Sequence, residues 1–194
     1  MNDQAISDQE LIGRYLAGHH PSLERLIRRH KNRVFAYILM IVKDKELSED
    51  LFQDTFIKVI NTIRSGAYKE EGKFIQWVMR IAHNLIIDHF RKAKRIPVVE
   101  NSDDYNIFDR VRIPVESVEE VMITEQIHQD VKKLIDYLPK EQREVLVMRH
   151  YGDMSFKDIA EVTNVSINTA LGRMRYALIN LRKLVKDNEL ILSA

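Results

Sequence analysis

Apolar residues recur at helical spacing along most of this chain. Leu47, Leu51, Phe52, Phe56, Val59, Ile60 and Ile63 form one stripe, and Phe74, Trp77, Val78, Ile81, Ala82, Leu85 and Phe90 form another. A repeat of three to four residues marks an amphipathic helix. Asp44 or Ser48 is placed to cap the first of these. The polar stretch from Arg64 to Gly72, with two glycines, is the loop between them. Earlier helices are expected over Asp8–Ala17 and Ser22–Val42. Periodicity disappears over Ile96–Val115, which holds Pro97 and Pro114 among Asn, Ser and Asp and reads as a linker. It resumes with Val121, Ile127, Val131, Leu134, Ile135 and Leu138, and Pro139 then opens a further helix. The pattern predicts an all-α fold of two small helical domains, residues 1–96 and 121–194, joined by a linker over 97–120.

Composition fits this reading. The 194 residues include only 6 glycines and 4 prolines, too few for the frequent turns of an all-β design. There is no cysteine, which excludes disulfides, thiolate catalysis and cysteine-ligated zinc. The N-terminus lacks the cationic and apolar blocks of a signal peptide, and the longest apolar run, Val34–Val42, is too short to span a bilayer. A cytoplasmic protein without membrane insertion is expected.

Net charge is only +1, but its distribution is uneven. Between Arg80 and Arg95, the bases Arg80, Arg91, Lys92, Lys94 and Arg95 face one acid, Asp88. From Ser166 to Lys186, Arg173, Arg175, Arg182, Lys183 and Lys186 face none. Between them, Val99–Glu125 is strongly acidic. Two basic surfaces flanking an acidic tether suggest a nucleic-acid partner, against the plainer reading of solvated helix faces.

The sharpest local signal runs from Ser155 to Arg175. Ser155 with Asp158 three residues on resembles a capping box. Phe156, Ile159, Ala160 and Thr163 mark the inner side of a short helix, and Asn164 stands where the chain must turn with positive φ. Val165 plugs the core, and Ser166 caps the next helix, with Ile167, Asn168 and Thr169 at its tip. This is the pattern of a helix-turn-helix, whose second helix enters the major groove N-terminus first. Asn168 and Thr169 suit base edges or phosphate, and Arg173 and Arg175 suit the backbone. An ordinary helical hairpin is the competing reading.

With these residues in view, the chain resembles a bacterial sigma factor of the extracytoplasmic-function (ECF) group. Glu49-Asp-Leu-Phe-Gln-Asp-Thr-Phe56 is similar to the acidic-apolar signature of region two. Phe74-Ile-Gln-Trp-Val-Met-Arg-Ile-Ala-His-Asn-Leu-Ile-Ile-Asp88 is similar to its promoter-reading helix. Leu138-Pro-Lys-Glu-Gln-Arg-Glu-Val-Leu146 and the helix-turn-helix are similar to region four. The departures are Asn164 for the usual turn glycine, Ala170 and Leu171 for valine and a polar residue, and Gly172 inside the second helix.

The resemblance implies a sigma factor that binds core RNA polymerase and directs promoter-specific initiation, without catalysis and without a cofactor or metal. It implies contact with the β′ coiled coil at Asp50, Gln53, Asp54 and Lys58. It implies capture of the minus-10 non-template strand, for which Tyr68, Lys69, Lys73, Arg80, His83 and Asn84 supply cations, stacking and base-edge hydrogen bonds. Trp77 lies in the apolar stripe and reads as core rather than stacking platform. Region four would read the minus-35 duplex through Ser166, Asn168, Thr169, Arg173 and Arg175 and meet the β flap, the two sites acting jointly through the linker. An anti-sigma factor is the further partner implied. Two other classes compete. An enzyme finds no support: Gly72-Lys73 lacks phosphate-loop spacing, and His83 and His89 are six apart and cannot share a metal on one helix face. A dimeric helix-turn-helix regulator acting without polymerase explains the second half but leaves Glu49–Phe56 and Trp77–Asp88 unused.

Overall fold

The computed structural model describes residues 6–69, 71–93 and 133–187. Seven helices and no strand are found among them: α1 Asp8–Leu16, α2 His20–Val42, α3 Lys45–Arg64, α4 Phe74–Ala93, α5 Lys140–Gly152, α6 Phe156–Thr163 and α7 Ile167–Asp187. Residues 133–136 are also helical. The all-helical expectation holds. The expected linker and the periodic positions 121–131 lie outside the described residues.

Helices α1, α3 and α6 each begin at a side chain that satisfies an orphan amide of the first turn. Ser7 accepts from the Glu10 amide at the head of α1. Of the two candidates for α3, Asp44 is the cap and accepts from Leu47 N at 2.9 Å. Ser48 is instead buried, and its hydroxyl donates back to the Asp44 carbonyl. Pro139 stands just before α5, as its missing N–H and fixed φ favour. Asp8 ties α1 to α2 by accepting from Arg29 at 2.6 Å and pairing with His30 at 2.7 Å. Burial pushes this carboxyl up, but those two partners outweigh it and hold it below its ordinary value.

The first four helices bury Leu11, Leu26, Val34, Tyr37, Ile38, Val59, Ile63, Val78 and Ile86. The second half buries Val145, Val147, Met148, Met154, Ile159 and Ala170. These are not two separate cores. One apolar cluster runs through both, because α5 packs against α2 and α4 while α7 packs against α5 and α6. The halves are tightly packed at Gly152: a Cβ there would stand 3.3 Å from Met79 Cγ on α4 and 3.1 Å from Met154 Cγ. Gly172, by contrast, has open space around it in mid-helix. Gly172→Ala is expected to raise stability by about 0.5–1 kcal/mol, read as a higher urea midpoint at unchanged m. A lower midpoint would show that position 172 carries a constraint unrelated to helix propensity.

Candidate nucleic-acid and polymerase interfaces

The helix-turn-helix is built as its residues dictate. Ser155 Oγ accepts from the Asp158 amide at 3.2 Å, and Asp158 accepts from the Ser155 amide at 3.1 Å, a complete capping box. Asn164 closes α6 in the left-handed conformation, φ 53° and ψ 48°, which asparagine adopts more readily than other non-glycine residues. The Val165 amide then bonds to the Ala160 carbonyl at 2.9 Å, and the half-buried Val165 packs on the core. Ser166 Oγ accepts from the Thr169 amide at 3.1 Å and starts α7. Ile159 and Ala160 face inward with Ala170 and Ala177 of α7. Ser166, Asn168, Thr169 and Arg175 are exposed, and Arg173 is half-buried. The tip and one flank of α7 therefore carry donors, acceptors and positive charge outward.

On α3, Asp50, Gln53, Asp54 and Lys58 are all exposed, with Asp50, Asp54 and Lys58 spaced one turn apart and Gln53 beside Asp54. Asp54 and Lys58 line an open groove with Ile57, Asn61, Thr62, Ser65, Ala67 and Leu85. Ile57, one of the lining residues, is 56% exposed. Sequence reading passed over this residue, although its signal was present: Ile57 falls outside the stripe of Phe52, Phe56, Val59 and Ile60. An apolar side chain on a charged, concave surface is the pattern of a protein-binding anchor.

The residues assigned to the opened strand have diverse placements. Tyr68 is half-buried and packs at a tilt of 44° against Trp77, ring centroids 4.3 Å apart, with Phe74 beside both. Trp77 is thus half in the core, as its place in the stripe indicated. Lys69, Lys73 and Asn84 are exposed. Arg80 is half-buried and Lys73 reaches the same side, where both meet acids of α6.

His83 differs from its expected surface position. It is 4% exposed beneath α5. The Tyr37 hydroxyl and its Nδ1 share a hydrogen bond of 3.0 Å, and Glu144 Oε1 lies 3.5 Å from the same nitrogen. Burial, with the charge of Lys140 adding to it, pushes His83 down to about 4. Burial also raises Glu144, against the opposing charges of Lys140 and Arg173. Both groups move toward neutrality, so this contact is a buried polar junction and not an ion pair. The reason is tertiary: the α4 face that seems free in the first half is roofed by a helix more than fifty residues downstream.

Family models described as Sigma-70 region 2 and Sigma-70, region 4 match residues 26–96 and 128–176. The RNA polymerase sigma-H factor of Pseudomonas aeruginosa is 27% identical over 171 residues, which cover 86% of this chain and 88% of that one. The ECF RNA polymerase sigma-E factor of Haemophilus influenzae is 25% identical over 176 residues, covering 88% and 91%. The chain belongs to the ECF sigma factors.

This sigma factor therefore serves promoter-directed transcription initiation, and its family is not a catalytic one. Its fold is similar to that of CnrH solved in complex with the cytosolic domain of CnrY, with a TM-score of 0.61 at 20% identity, covering 94% of this chain and 99% of that one. It is also similar to the sigma factor RpoE solved with the anti-sigma factor NepR from Bartonella quintana, with a TM-score of 0.59 at 19% identity, covering 84% and 96%. No helix among the described residues is long and apolar enough to cross a membrane. The region-two match takes in the α3 groove and α4, and the region-four match takes in α5, α6 and the exposed tip of α7.

Proposed function

We propose that this sigma factor divides its work between three surfaces. Region two, within residues 1–96, grips the β′ coiled coil through Asp50, Gln53, Asp54 and Lys58, with Ile57 as the apolar anchor between them. The loop before α4 and the outer side of that helix hold the opened minus-10 strand. There Lys69, Lys73 and Arg80 supply charge, Tyr68 on Trp77 a stacking surface, and Asn84 a base-edge partner. His83 serves from inside, fixing the α4 face through Tyr37. Region four, within 121–194, reads the minus-35 duplex with Ser166, Asn168, Thr169, Arg173 and Arg175 and meets the β flap. Residues 97–120 are the tether, and the site of action is the cytoplasm. The observation that carries this reading is the start of α7, where Ser166, Asn168 and Thr169 are exposed at the tip of a helix that holds no acid before Asp187. An anti-sigma partner is also proposed, since one structural neighbour was solved with an anti-sigma factor.

The test is reconstitution with core polymerase on a two-element promoter. Asn84→Ala is expected to reduce open-complex formation about tenfold while binding core normally, as loss of one base-edge contact implies. Arg173→Ala is expected to weaken minus-35-dependent initiation and lower the salt slope by about one. Tight specific duplex binding by the sigma factor alone, with no stimulation of core, would overturn the proposal in favour of a free-standing regulator. An Asn84 variant that fails to bind core would make that residue structural.

A further inference from the structure

The tip of α7 carries two apolar side chains that phosphate contacts do not explain. Ile167 is 46% exposed and Leu171 is 43% exposed. They stand one turn apart, so both project from the same side of the helix. Some of the polar groups around them are already engaged. The Ser166 and Thr169 hydroxyls share a hydrogen bond of 2.9 Å, and Ser166 Oγ also accepts from the Thr169 amide. Asn168 is exposed in the same turn. Gly172 follows Leu171, and a Cβ there would meet nothing within 4 Å, so the helix is bare beside the leucine. Leu178 and Ile179 are exposed as well, but they lie about 10 Å further along the axis, past the turns that enter a groove. From Ser166 to Lys186 there are five bases and no acid. Charge therefore selects a polyanion as the occupant of this surface.

We propose that Ile167 and Leu171 are specificity-determining residues that read the 5-methyl groups of thymines in the minus-35 duplex. The inference rests on the assignment of α7 to that duplex. The chemistry is one of exclusion. Leucine and isoleucine side chains offer no donor and no acceptor. Set against the polar edge of guanine, adenine or cytosine, they would strip water from that edge and return no hydrogen bond. The thymine methyl is the apolar group that the major groove displays. Ile167 and Leu171 are separated by about 6 Å along the helix axis. That is close to two base-pair steps of about 3.4 Å each. The element is therefore expected to hold two thymines about two steps apart, on one strand or divided between both. Asn168 supplies hydrogen bonds to a neighbouring base edge, and Arg175, exposed one turn beyond Leu171, supplies a phosphate contact.

The experiment uses the full chain with core polymerase. A promoter library randomised over the minus-35 region is selected for binding. Each thymine of the selected element is then replaced singly by deoxyuridine, which removes the methyl and keeps every donor and acceptor. For the parent chain, two of these replacements are expected to weaken competition binding about fourfold each, the effect of one buried methyl group. Leu171→Ala should abolish the difference between thymine and uracil at one of the two positions, and Ile167→Ala at the other. Leu171→Met, which keeps an apolar contact, should retain it. Indifference of the parent chain to every uracil, or a selected element without thymine, would overturn the inference and leave duplex reading by region four standing. Equal losses on thymine and uracil promoters in both alanine variants would also overturn it, by making Ile167 and Leu171 part of a protein-binding surface. A library that returns no minus-35 element would instead remove the reading on which the inference rests.

Discussion

Lowering the pH from 7 to 4 is expected to weaken the fold, and His83 is the main reason. Its imidazole has an ordinary value of 6.5 and is pushed down to about 4 by burial under α5, with Lys140 adding to the effect. The unfolded chain therefore takes up a proton between pH 6.5 and 4 that the folded chain refuses. Stability from this group is fully present above pH 6.5 and drains away as pH falls toward 4. The full loss is about 3 kcal/mol, since one pKa unit is worth about 1.4 kcal/mol. Glu144 works in the opposite direction: its raised value means that its burial cost is relieved as it protonates, which offsets part of the loss. Urea titrations at pH 7.5, 6, 5 and 4.5 measure the outcome. The parent chain should lose stability across this window, and His83→Gln, which keeps a polar partner for Tyr37, should lose much less. Equal slopes for the two proteins would show that His83 is not the titrating group.

Ile159→Ala is expected to cost about 3 kcal/mol. The side chain is fully buried in α6, and truncating a buried isoleucine costs both the transfer energy and the cavity left behind. Ile159 belongs to the cluster that runs through both halves. Its loss should therefore lower the midpoint of one transition rather than split the urea curve in two. A cost under about 1 kcal/mol would mean that the site collapses around the smaller residue. A biphasic curve would mean that region four unfolds independently despite the shared core.

Local chemistry made most of the secondary structure legible in advance. Ser155 with Asp158, Asn164, Ser166 and Pro139 all act as their residue types indicated, because caps and left-handed turns are decided within four or five residues of chain. The exposed face of α3 was equally readable from periodicity. His83 was not, and neither were the partners of Arg33 and Arg80. Arg33 meets a residue 120 positions away and Arg80 one 81 positions away, and no window on the sequence spans such a distance. A stripe of apolar residues also does not say how wide the buried face is. On α4 that face widens to include a histidine because a second layer, α5, is laid over it.

The position of α5 has a consequence for synthesis. A ribosome delivers the chain from its N-terminus, at roughly 5–20 residues per second. The α2 segment around Arg33 emerges 120 residues before Asp153, the partner that closes over it. For a time on the order of ten seconds the nascent first half carries an uncovered apolar flank. Whatever meets it in that interval, a chaperone or polymerase itself, meets the molecule before its own second half can compete.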